Sequence, residues 1–247
     1  MKYPLLATRG IVVFPKKQSK LTVGRKESLN ALDFSELNSS MMLVLATQKN
    51  AMKENLDSKE DLYEIATLVE FAIENETSKQ KNIIVTGIKR VKINKLSKEN
   101  DSFFVDVTAQ RTIQIKDDNL ESEYIKNLSD LIVKYSVGNE VLQPNIIEKL
   151  SHKIDAEEIT NLLAHNLPFS YQIKAEILSE NSLSKRLDRL ILEMSKKIKF
   201  SVTNKKVDNK IRNNLEKQQN EFMLREKLKV IKEELGDISS KDDEIDN

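Results

Sequence analysis

The 247-residue chain has no cysteine, which excludes disulfides and thiolate-ligated metals. Glycine is scarce as well: the five glycines are isolated, and no G-x-x-x-x-G-K-[ST] loop is present to cradle a nucleotide phosphate. Only two imidazoles occur, His152 and His165, thirteen positions apart and without a second pair of ligands. No metal site is expected from them. No apolar window approaches the roughly 20 residues of a membrane span, and the opening MKYPLLATRG lacks the apolar run of a signal peptide. A cytoplasmic protein with no membrane partner is expected. One-sided charge is missing too: 40 basic residues meet 39 acidic ones, so bulk electrostatics select no partner. The adjacent carboxylates Asp117/Asp118 and Asp242/Asp243 fall in turn and tail contexts and read as solvated. Ser182-x-x-Lys185 has the spacing of a Ser/Lys hydrolase but is better explained by Ser182 as a helix N-cap. These residues do not make a complete enzyme.

What is abundant is helix-forming sequence near the end. From Ile211 to Gly236, apolar residues fall at Ile211, Leu215, Phe222, Leu224, Leu228, Ile231 and Leu235, in steps that favour three and four. Lys, Arg, Glu and Gln fill the flanks, and Gly236 stands where a left-handed cap would stop the helix. Little chain is left to cover this stripe. Leu215, Leu224, Leu228, Ile231 and Leu235 are therefore expected to meet another copy or another domain. Phe222-Met223-Leu224 places three bulky side chains around one helix, more than a single stripe holds, and Phe222 and Met223 suit contact with varied polypeptides, with a second copy of the helix, or packing within the same chain.

Residues 1–116 read as a small β-rich domain. Tyr3–Leu6, Ile11–Phe14 and Leu21–Val23 are short apolar runs, Lys26–Leu37 suits one short helix with Leu29, Leu32 and Leu37 inward, and Met41–Ala46 suits a doubly buried strand. Alternation marks Tyr63–Ile73 and, interrupted at Arg111, Phe103–Ile115 as half-buried strands. Ile83–Val85 and Val91–Ile93 read as two strands broken at Gly87. Six or so short strands with one helix among them predict a closed or strongly coiled sheet. Phe104 falls on the opposite face from Phe103, where it is either covered by a neighbouring loop or helix or, with Phe14-Pro15, a candidate peptide contact.

Beyond Lys116 the period becomes helical, and residues 119–202 read as a helical bundle. Within it Pro144 opens a helix through Leu150, Asp155 and Glu158 form a capping pair, Pro168 and Ser170 start another helix, and Ser182 starts the next. Residues 203–236 form the long, projecting, coiled-coil-like helix, and 237–247 a linker or tail. The fold class is α+β.

Several stretches resemble, in order, the N-terminal region of Lon ATP-dependent proteases. Pro4-Leu5-Leu6-Ala7-Thr8-Arg9-Gly10-Ile11-Val12-Val13-Phe14-Pro15 is similar to that family's PLLPLRDxVVFP opening, and Val23-Gly24-Arg25-Lys26-Glu27-Ser28 to its VGRxxS turn. Gln48-Lys49, Val85–Ile93, Ile159–Pro168 and Glu216–Gly236 resemble its later landmarks. The chain departs from the pattern at Lys16, where Gly is usual, at Lys20, which replaces a Pro, and at Glu64, where Gly is common. The resemblance implies a PUA-like β domain, a helical domain and a long helix. These would lead into an ATPase module, which binds ATP and Mg, and a Ser/Lys protease module. Implied partners are unfolded or tagged protein substrates and further copies in a homohexamer. A competing reading is a nucleic-acid-binding module built on the PUA-like fold and on region 185–232, where basic residues outnumber acidic ones more than two to one.

Overall fold

The computed structural model describes residues 1–38, 40–77, 79–99, 101–136 and 155–242, with side chains described up to residue 233. Among the described residues six strands are present: β1 (Lys2–Thr8), β2 (Gln18–Val23), β3 (Met42–Thr47), β4 (Ile65–Glu76), β5 (Lys81–Glu99) and β6 (Ser102–Ala109). The order is β2-β5-β4-β3-β1-β6, and β5 also pairs with β6, so five strands close on themselves while β2 hangs outside. The closure depends on the 19 residues of β5, whose first half lies between β2 and β4 and whose second half pairs with β6. β1 and β3 pair in parallel, Leu5 opposite Val44, because α1 (Lys26–Leu37) intervenes between them in the chain.

Alternation along the strands sorts the apolar residues into two cores. Leu5, Ala7, Val44, Ala46, Leu68, Ile93, Val105 and Val107 fill the closed sheet, joined by Leu62 and by Leu56 from a loop. Leu6, Leu43, Leu45, Val69, Phe71, Ile83 and Val85 form the outer core beneath Leu32 of α1 and Val13. Both faces are thus buried, which is why Ile65 to Val69 are all buried where alternation predicts a half-buried strand.

Three sequence expectations change here for tertiary reasons. Ile11–Phe14 is not a strand; it is a strap pinned across the sheet by hydroxyls. Thr8 and Thr47 donate to the Ile11 carbonyl at 2.7 and 2.6 Å, and Thr67 donates to the Val13 carbonyl at 2.6 Å. Gly87 does not end a strand. β5 runs through it with a register shift opposite Leu68/Val69, and the strap passes so close that a Cβ there would overlap the Phe14 carbonyl and lie 3.1 Å from Pro15 Cα. The second alternating stretch stops at Ala109, and Ile113 instead makes an isolated bridge to Ser182.

Among the described residues the helices after the barrel are α2 (Asp118–Ser136), α3 (Ala156–Asn166), α4 (Tyr171–Ser179) and α5 (Leu183–Asp242). The helix expected at Pro144–Leu150 lies outside the described residues. Asp117, expected to be solvated, accepts from the Asn119 amide at 2.9 Å and so caps α2. Ser170 caps α4 through the Ile173 amide at 3.4 Å, as expected. Asp155 makes no such bond, so its pairing with Glu158 as a capping box is not formed. Leu128, Ile132, Ile159, Leu163, Ile177, Leu187, Leu190 and Met194 form the buried helical faces.

The chain divides into two compact units, residues 1–196 and 197–247. α5 is one continuous helix of 60 residues, about 90 Å at ~1.5 Å per residue. It does not break near residue 202, and it runs through Gly236 to Asp242. The cap expected at Gly236 is thereby overturned: the helix continues to Asp242 although Gly, Ser and Asp are poor helix formers.

Candidate functional site

The barrel side chains singled out from sequence are covered by the fold. Phe14, itself the last residue of the strap, is fully buried and cannot act as a surface contact. Pro15 is half-buried, bridging to Gly87. Phe104 is also buried: the Phe34 ring meets it edge-on at 4.9 Å, and Lys2 Nζ stands 5.0 Å from its centroid. The exposed apolar surface is therefore one layer higher, on α1. Phe34 is 45% and Leu37 85% exposed, and with Asn30, Ser102 and Phe104 they line a shallow depression of about 360 Å³. Leu37, expected to face inward with Leu32, lies at the last position of α1 and points out. Phe34 was legible in principle, being ~200° around the helix from the inward Leu32.

Beside α1 a second depression, a cleft of about 600 Å³, opens on the barrel, with Leu5, Leu56 and Phe103 along it and Arg9, Arg25 and Lys98 around it. Arg25 occupies the N-cap position of α1 and its side chain makes no capping bond, since a guanidinium cannot accept. It donates instead to the Ala7 carbonyl and, at 3.3 Å, to Gln48 Oε1, tying α1 to the ends of β1 and β3. Burial lowers the Arg25 pKa, and the neighbouring Arg9 lowers it further.

A third feature is the polar joint between barrel and helices. Arg90, 2% exposed, donates to the carbonyls of Leu178 at 2.9 Å and Glu180 at 2.7 Å and to Thr112 Oγ1 at 2.8 Å. Thr112 donates to Glu157, which also accepts from Gln114 and, at 3.1 Å, from the fully buried Arg186. Burial, and then the charge of Arg186, push the Arg90 pKa down to about 10. Burial raises the Glu157 carboxyl, yet the bonds from Thr112, Gln114 and Arg186 outweigh it and leave its pKa lowered. Glu157 is paired with Arg186, and Arg90 is held by neutral oxygens, which suits a rigid joint rather than a reactive centre.

In the second unit the predicted stripe is open. Leu215, Leu224, Leu228 and Ile231 are each half or more exposed, as are Phe222 at 65% and Met223 at 56%. Leu235 lies beyond the described side chains. At ~100° per residue, Ile211, Leu215 and Phe222 share one face, and Leu224, Leu228 and Ile231 share another about 150° away. The stripe thus changes sides of the helix between Phe222 and Leu224.

Ser182 Oγ is hydrogen-bonded to Ser184 Oγ at 2.9 Å. Among the described residues no three His, Asp or Glu side chains gather as a metal site, and no helix is long and apolar enough to cross a membrane. Of the basic residues in 185–232, Arg186, Arg189, Lys196 and Arg212 are paired with carboxylates.

A closed barrel joined rigidly to helices, carrying exposed apolar side chains and a cleft, defines an α+β binding module. Residues 2–196 match the family described as the ATP-dependent protease La (LON) substrate-binding domain, and the chain belongs to that family. It is 31% identical to the Lon protease of Mycoplasma mobile over 255 residues, covering all of this chain and 30% of that protein. It is 34% identical to the Lon protease of Malacoplasma penetrans, covering 98% of this chain and 32% of that protein. The chain thus spans about 30% of the length of these relatives. In fold it is similar to the N-terminal domain of Mycobacterium avium complex Lon protease, with a TM-score of 0.64 at 16% identity over 79% of this chain and 98% of that one. It is also similar to a Lon N-terminal domain protein from Xanthomonas campestris, with a TM-score of 0.52 at 15% identity over 78% of this chain and 98% of that one.

Proposed function

We propose that this chain is the substrate-recognition and assembly region of a Lon-type ATP-dependent serine protease. It holds unfolded or degron-bearing polypeptides in the cytoplasm and delivers them to an ATPase motor. ATP and Mg are bound by that motor, and hydrolysis of peptide bonds belongs to a Ser/Lys module, both outside this chain. The observation that carries the reading is the exposed pair Phe34 and Leu37 above Phe104, on a helix that the barrel holds in place. A shallow apolar patch on a rigid scaffold holds many sequences weakly and few tightly. Copies associated through α5 in a homohexamer gain by effective concentration what one patch lacks.

Fluorescence anisotropy with reduced, iodoacetamide-alkylated α-lactalbumin as a permanently unfolded probe tests this. Binding is expected in the micromolar range or weaker, absent for the native probe, nearly independent of salt, and weakened roughly fivefold by Phe34→Ser. No binding of the unfolded probe at high protein concentration would sink the reading.

A further inference from the structure

The Arg9–Arg25 cleft is separate from the Phe34 patch and has a different chemistry. Leu5, Leu56 and Phe103 supply an apolar wall, while Arg9 and Arg25 also line a neighbouring depression of about 400 Å³ that reaches β2 at Leu21–Val23. Arg25 is fixed by its bonds to Ala7 and Gln48, so its position costs a ligand no further ordering. Arg9 is exposed, and among the described residues no carboxylate pairs with it. Arg9 and Arg25 line the same two depressions, and an anion bound there relieves the repulsion between them.

We propose that this cleft binds a single carboxylate of an extended peptide between Arg9 and Arg25, with the adjoining apolar side chain against Leu5, Leu56 and Phe103. The rim limits how much negative charge enters. Lys26 is matched by Asp101 at 2.9 Å and Asp57 by Lys53 at 2.8 Å. That leaves Arg9, Arg25 and Lys98 against Glu27 and Glu54, a surplus of one positive charge. One carboxylate suits that surplus; a phosphate dianion or a nucleic-acid strand meets the two glutamates. The guanidinium fork also matches a carboxylate in two parallel hydrogen bonds. The carboxylate has two sources in a polypeptide, the chain terminus and an Asp or Glu side chain.

The inference rests on the proposed polypeptide binding, and the test separates the two. Three fluorescein-labelled short peptides ending in Ser-Leu-Phe are titrated with the full chain: one with a free C-terminus, one amidated, and one amidated with Asp in place of Ser. The free-terminus peptide binding at least about tenfold more tightly than the amide assigns the chain terminus, and the Asp peptide doing so assigns a side chain. In either case Arg9→Gln removes the preference and leaves the melting temperature unchanged, while Arg9→Lys keeps part of it. Arg9 is the variant of choice because Arg25 also holds α1 to the barrel. Equal binding of all three peptides, or a preference that survives Arg9→Gln, overturns the inference. If the unfolded α-lactalbumin still binds in that event, the proposed function stands without it; if neither peptide nor unfolded protein binds, both fall.

Discussion

At the scale of single residues, Lys16 shows what a departure from a family pattern does physically. It follows Phe14-Pro15 where the resemblance leads one to expect Gly, and its φ is +60°. The turn is needed because the strap must hand its backbone to β5: the Lys16 amide donates to the Gly87 carbonyl at 2.8 Å, and the Gly87 amide to the Lys17 carbonyl at 2.9 Å. A side chain at positive φ costs about 1–2 kcal/mol, and the flexibility that Gly adds to the unfolded chain takes back part of the gain from removing it. The Lys16–Glu158 pair, at 3.1 Å with Lys16 largely exposed, offsets little. Lys16→Gly is therefore expected to stabilise the protein by up to about 1 kcal/mol, read as a higher urea midpoint at unchanged slope. A lower midpoint would show that the ion pair outweighs the backbone strain. The same neighbourhood shows what local reading misses. Gly87 looks like a strand break because nothing near it in sequence reveals that Phe14 crosses over it.

At the scale of elements, the alternation at Tyr63–Ile73 foretold β4, and the helix at Lys26–Leu37 was legible to the residue. Which side chains remain exposed was not, because that depends on what lies on top. Phe104 is an apolar residue whose cover, Phe34, comes from elsewhere in the chain, and Phe14 is buried with the strap that it ends. The joint between barrel and helices was illegible for the same reason: Arg90, Thr112, Glu157 and Arg186 are 96 residues apart from first to last and have no common motif. Arg90 alone satisfies two carbonyls at the end of α4, and its planar fork reaches Thr112 at the same time. Arg90→Met is expected to destabilise residues 1–196 by about 3 kcal/mol, leaving those carbonyls buried without donors. Arg90→Lys should recover less than half, since one ammonium cannot span the three acceptors. Chemical denaturation followed by far-UV circular dichroism measures both, and a loss below about 1 kcal/mol would mean that water replaces the guanidinium.

At the scale of the whole molecule, one helix carries two apolar faces in succession. A single partner along its length would select one continuous stripe; here the stripe moves by about 150° between Phe222 and Leu224. Two partners are the economical explanation. The first face, Ile211, Leu215 and Phe222, repeats in steps of four and seven, the spacing of a helix seam, and is the one expected to meet a second copy. The second face, Leu224, Leu228 and Ile231, is expected to meet a different partner, the ATPase motor of the proposed function. Lysine at Leu215 and Phe222 together should then lower the mass seen by light scattering at high protein concentration, while lysine at Leu228 and Ile231 should leave it unchanged. In a full-length protein the order reverses for function: the second pair should uncouple ATP hydrolysis from degradation of an unfolded substrate even where assembly is intact. If both pairs shift the mass equally, the two faces act as one seam; if neither does, α5 is not the contact between copies, and the avidity on which weak apolar patches depend needs another source.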